Sequence, residues 1–309
     1  MLKAQPTITS IVIPHDDIDP TETYPLWLVP YWAELIPIHE AQRRWMPAVE
    51  SLRQRQRLET ALAGGSGALI DEVYDTLSSL EWSGIISGFP IQIERHYLSA
   101  FFTNEWLSSE HEDLLMDLLR GEVNDNGSAW RVELPNESGM FIPKIKLAYQ
   151  KKDIYAESIT EFRWLHRIAS RLVTGTKTLL GTLANVCGNH WVAIVINTEM
   201  QTILHGDSLG ASIDGELCSV LKWWTYEHFG VNFGVEQMEI ARQKDSYSCG
   251  LFAWGALEAF FLDDTERLME DEKMEDCRLK AFLRIMDRHK HQASTHSHMS
   301  KSLFLLFYM

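Results

Sequence analysis

The sequence predicts an α+β fold, a small central mixed sheet flanked by helices, with a cysteine at the N-terminus of a buried helix. Three observations carry that prediction. Apolar residues recur at helical spacing through the first half of the chain and again near its end. Between these regions the run HWVAIVI, from His190, is continuous, apolar and rich in β-branched residues, as a buried strand is. Finally, the polar stretch QKDSYS passes at Cys249-Gly250 into the almost wholly apolar LFAWGALEAFF.

Taken in order, residues 1 to about 30 are Pro-rich and predict no regular element. YWAELIPIHEAQRRWMPAVESLRQRQRLET, 31–60, has helical spacing, with interruptions expected at Pro37 and Pro47. GGSG at 64–67 separates it from a second helical stretch, ALIDEVYDTLSSLEW. A third helix is predicted over 105–120. Ser108 or Ser109 suits its N-cap, acidic residues fill the first turn, and Leu114, Leu115, Leu118 and Leu119 form one apolar face. Residues 156–173 read as another helix through Phe162, Leu165, Ile168 and Leu172. The period then changes, and HWVAIVI and QTILHGD, joined by NTEM, read as a hairpin. A helix over 216–229, a strand over 234–241, the apolar helix from Gly250 to about Leu262 and a charged helix over 275–288 follow. The expected organisation is a mostly helical extension over 1–95, one domain over 96–285, and a tail over 286–309.

Composition narrows the class. The chain has 309 residues, 45% hydrophobic and 23% charged, with a formal net charge of -15. That balance disfavours nucleic acid and anionic membrane as partners and suits a partner with a basic face. No N-terminal stretch has the order of a signal peptide, and no apolar run approaches the roughly 20 residues that span a bilayer. The terminal LFLLFYM is expected to pack as a last strand or helix turn. Cys187, Cys218, Cys249 and Cys277 show no C-x-x-C spacing, so they read as reduced thiols of an intracellular protein, nuclear or cytoplasmic. His289-x-His291 and His296-x-His298 fit a solvated tail better than a metal site, and no cofactor is expected.

Three residues sit where regular elements end. His190 opens the first hairpin strand, Asp207 closes the second, and Cys249 opens the buried helix. Antiparallel pairing around 198–201 puts residue 190 opposite roughly residue 208, so the carboxylate can hold the imidazole. A thiol at a helix N-terminus meets unpaired N–H groups that favour the thiolate. This is the logic of nucleophile, base and orienting acid. Gln243, six residues before Cys249, lies where a side-chain amide could donate to an oxyanion together with the Cys249 N–H. His205 competes with His190, but two residues along one strand it points parallel to Asp207 rather than toward it. Cys187 reads as a small apolar filler.

His-Trp at a strand start, D-S-L some 17 residues later, and Q-x(5)-C-G beyond it resemble the ubiquitin-like-protein-specific cysteine proteases, the deSUMOylating and deneddylating group related to the adenovirus protease. The resemblance covers about residues 96–285 and implies a triad of His190, Asp207 and Cys249, with Gln243 in the oxyanion hole. Trp106-Leu107-Ser108-Ser109 resembles the family's W-L-[NS]-D motif, which implies that Trp106 roofs a substrate channel and Trp191 forms its other wall. Read from the residues alone, both tryptophans are core. The sequence departs from the pattern at Ser248 and Ser109, each of which stands where family members carry Asp. The implied activity is cleavage after the C-terminal glycine of a ubiquitin-like modifier such as SUMO. The alternatives are an acetyltransferase on the same scaffold, which the low Lys and Arg count disfavours, and a non-catalytic modifier-binding module.

Overall fold

The computed structural model describes residues 10–12, 23–63 and 67–307, with the backbone alone at 63 and 293–307. Most of the Pro-rich start, residues 64–66 and the side chains of His296 and His298 lie outside the described residues. Strands β1 (Ser10–Ile11) and β2 (Tyr24–Pro25) pair antiparallel. Helices α1 (Leu28–Ala63) and α2 (Ala68–Ser78) follow, then a 3₁₀ segment (Arg95–Phe102) and α3 (Ser109–Asp125).

The central sheet holds β3 (Val132–Glu133), β4 (Leu179–Val186), β5 (His190–Asn197), β6 (Thr202–Gly206) and β7 (Gly234–Gln237), in that spatial order. Its two outer pairings are parallel and its two central ones antiparallel, so the sheet is mixed as expected. Between β3 and β4 run α4 (Ser138–Gln150) and α5 (Arg163–Val173); α6 (Gly215–Phe229) lies between β6 and β7. Helix α7 (Cys249–Leu262) and then α8 (Met274–Phe307) complete the described chain.

Strand β5 is apolar throughout because both of its faces are covered. Trp191, Ala193 and Val195 join the core with Leu251, Trp254 and Leu257 of α7. Val192, Ile194 and Ile196 join a second core with α4, α5 and α6. The first core extends well beyond the sheet: Trp45, Ala48 and Leu52 of α1 and Ile70 and Val73 of α2 belong to it. Among the described residues no helix is long and apolar enough to cross a membrane.

Several expectations are corrected. Helix α1 runs through Pro37 and Pro47 without a break. Its buried residues Ala41, Trp45, Ala48 and Leu52 follow the helical period, and their burial offsets the local cost of proline. Strand β4 and helix α4 were not signalled by the sequence. Strand β4 contains Gly181, where a Cβ would sit 2.3 Å from the Phe261 ring, so packing against α7 demands a residue of poor strand propensity. Helix α4 carries Gly139 and Pro143, both weak helix signals. Strand β7 ends at Gln237, which pairs with His205 of β6, rather than at 241. Cys187 is exposed in the β4–β5 turn with φ 55°, not an apolar filler. Helix α8 continues through the expected tail, and His289 is 7% exposed and accepts from the Ser87 N–H at 2.9 Å, so it is not solvated.

Candidate active site

Cys249 is the first residue of α7 and is buried at 3% exposure. Its sulfur accepts the Trp191 backbone N–H at 3.4 Å, so the start of β5 lies directly against the thiol. Burial pushes the Cys249 thiol up and Glu112 acts in the same direction, while the N–H groups of Trp191, Gly250 and Cys249 pull it down.

His190, the residue before Trp191, bonds Asp207 Oδ1 through Nε2 at 2.8 Å. The β5–β6 ladder ends at Ala193↔Gly206, so both residues lie just past it. Continuing that register sets Asp207 opposite Val192, two residues from His190 on one face, a diagonal that an imidazole spans. Asp207 Oδ1 also accepts the Leu209 N–H at 2.7 Å, which fixes the carboxylate as the cap of its own turn. His190 uses Nε2 for the carboxylate and keeps Nδ1 for another partner; a direct bond to the sulfur is not among its contacts here. His205 is 4% exposed, and burial, the largest influence on it, lowers its proton affinity.

Gln243 is buried and fully engaged. Its backbone N–H donates to the Ser208 carbonyl at 3.0 Å, and its Oε1 accepts from Ser208 Oγ at 2.7 Å. Its Nε2 donates to the Asp245 carbonyl and Oδ1 at 2.9 and 3.1 Å. Asp245 Oδ1 also takes the Tyr247 and Ser248 N–H groups at 3.0 and 2.9 Å, curling the loop into α7. Sequence reasoning missed Asp245 and Ser208. The signal for the first was the D-S-Y-S turn, since Asp readily bonds N–H groups two or three residues on. A network therefore runs from His190 through Asp207, its neighbour Ser208, Gln243 and Asp245 to the turn before Cys249.

Trp106 is 48% exposed, whereas Trp191 is 5% exposed and donates Nε1–H to the Leu107 carbonyl at 3.2 Å. The buried indole thus braces the loop that displays the exposed one. Ser108 caps α3, its N–H bonding His111 Nδ1 at 3.1 Å. From α8, Arg278 bonds the Ala100 and Glu105 carbonyls and lies 5.5 Å from the Tyr247 ring centroid, which ties the Trp106 loop to the nucleophile turn.

A search of curated proteins returns no match. Among solved structures, the chain is similar to the C-terminal Ulp1 protease domain in complex with Smt3, the yeast ortholog of SUMO. The TM-score is 0.53 at 18% identity, covering 71% of this chain and 94% of that one. It is also similar to the Chaetomium thermophilum Ulp1-like SUMO protease catalytic domain, with TM-score 0.51, 16% identity, and 72% and 89% of the two chains covered. At these identities the likeness shows a shared fold. Residues 105–292, more than half of the chain, match the C-terminal catalytic domain of the Ulp1 protease family, and the chain belongs to that family of cysteine-type peptidases.

Proposed function

We propose that this chain is a thiol hydrolase that cleaves after the C-terminal glycine of a ubiquitin-like modifier, with His190, Asp207 and Cys249 as its triad. The observation that carries the reading is the Trp191 N–H resting on the Cys249 sulfur while the adjoining His190 is already paired with Asp207. The similar structure in complex with Smt3 makes SUMO the first modifier to test.

In this reading His190 Nδ1 takes the thiol proton, and the sulfur attacks the glycine carbonyl carbon. Asp207 steadies the imidazolium through Nε2. The oxyanion meets the Cys249 N–H and the Gln243 amide, one N–H of which turns from Asp245 as the acyl group enters. His190 then hands its proton to the leaving lysine amine, the C–N bond breaks, and a thioester remains. Water, deprotonated by His190, attacks the thioester, releasing the glycine carboxylate and the thiol. Pairing with His190 offsets the burial that holds the resting thiol up. Trp106, carried on Trp191, walls a passage that admits glycine because glycine has no side chain to clash.

The test is incubation with a panel of modifiers, SUMO among them, each bearing a C-terminal electrophile. The expected result is a covalent adduct with the wild type that is absent in Cys249→Ser. Absence of an adduct with every modifier would overturn the reading.

A further inference from the structure

Beneath the nucleophile lies an acid that the triad does not use. Glu112, in the first turn of α3, is 0% exposed, and neither of its carboxyl oxygens has a hydrogen-bond partner among the described residues. A Cβ built on Gly250 would lie 1.7 Å from Glu112 Oε1, so the carboxyl group rests on the first turn of α7, one residue past Cys249. The groups that face it are few. Asp113, on its own helix, opposes its ionisation, and Arg278, on α8, favours it. On α7, Cys249 feels Glu112 directly. Arg278 makes no ion pair with it, for Nη2 is taken by the Ala100 and Glu105 carbonyls, while Nε and Nη1 are buried and unpartnered.

An isolated buried carboxylate costs several kcal/mol of lost hydration, which the neutral acid avoids. Burial, the largest influence, accordingly lifts Glu112 well above the usual carboxylate range. An anion at that spot would raise the thiol further, the direction in which Glu112 already acts on Cys249.

We propose that Glu112 is a positioning residue of the active site: a carboxylic acid kept neutral against the Cys249–Gly250 turn, so that no negative charge lies beneath the sulfur there. The inference rests on Cys249 being the nucleophile. It also accounts for glycine at position 250, since any side chain there would displace the acid.

The test follows iodoacetamide alkylation of Cys249 across pH, by mass spectrometry of its peptide, in wild type, Glu112→Gln and Glu112→Met. On the rising limb of the profile, once wild-type Glu112 has become a carboxylate and before the thiol is fully ionised, both variants are expected to react about threefold or more faster, a shift of roughly half a pKa unit, and the curves converge at full ionisation. Coincident curves would reduce Glu112 to packing and overturn the proposal; variants slower by about tenfold throughout would show that the charged form is needed, and overturn it equally. Should Glu112→Gln fail to fold, Glu112→Met, with no polar atom to bury, carries the comparison. The difference spectrum between wild type and Glu112→Met supplies an independent readout, the infrared carbonyl band of a protonated carboxylic acid at neutral pH, whose absence would also overturn the proposal. If wild-type Cys249 alkylates no faster than Cys187, Cys218 and Cys277, the catalytic reading fails, whereas the infrared band tests Glu112 alone.

Discussion

Asp207 holds two donors on one oxygen, His190 Nε2 and the Leu209 N–H, so its carboxylate is fixed before any imidazolium forms. Asp207→Asn keeps the shape but loses the charge; kcat on a fluorogenic modifier substrate is expected to fall about 100- to 10,000-fold, with far less change in KM. At Gly250 the constraint is spatial. Gly250→Ala forces a methyl group into Glu112, and the urea midpoint should report a loss of about 1–3 kcal/mol. Combined with Glu112→Ala, the loss should be smaller than the sum, because the two changes share one contact. Asp245→Ala removes the side-chain acceptor of the Tyr247 and Ser248 N–H groups and one of the two acceptors of Gln243 Nε2, and the expected outcome is a lower rate of covalent adduct formation. The meeting of His190 with Asp207 followed from hairpin spacing, whereas Gln243 stood out only through the family pattern. Glu112 and Ser208 carry no local signal, because their roles arise from contacts between distant segments.

Among the elements, those with strong local signatures were legible. Strand β5 showed its β-branched run, α7 its apolar length, and α3 its capping serine. Strand β4 and α4 were not, since Gly181 and Pro143 serve packing and interrupt the pattern by which a strand or helix is read. Helix α1 is the opposite case: its prolines predicted breaks that burial overrode. Pro47 lies between the buried Trp45 and Ala48 and supplies no N–H to the helix. Pro47→Ala is therefore expected to raise stability, by up to about 3 kcal/mol, read as a shift in the denaturant midpoint.

For the whole molecule, acid sensitivity has a traceable source. His228 is pushed down to about 4, first by burial and then by His166, and its Nε2 is bonded to the Tyr155 hydroxyl at 2.9 Å. Unfolded, it titrates near 6.5, so between those values the unfolded chain binds the extra proton and stability falls as pH falls. The expected loss approaches roughly 3 kcal/mol by pH 4, and His228→Gln should flatten the pH dependence of the urea midpoint across that window. The core has a different consequence. Trp45, Leu52, Ile70 and Val73 share a cluster with Cys249 and Trp254, although the family match starts only at residue 105. The recognisable protease segment thus shares its core with helices that precede it. An expression clone begun at residue 96 would leave an oily flank bare and should elute in the void volume of a sizing column, while the 309-residue chain should melt in a single calorimetric peak.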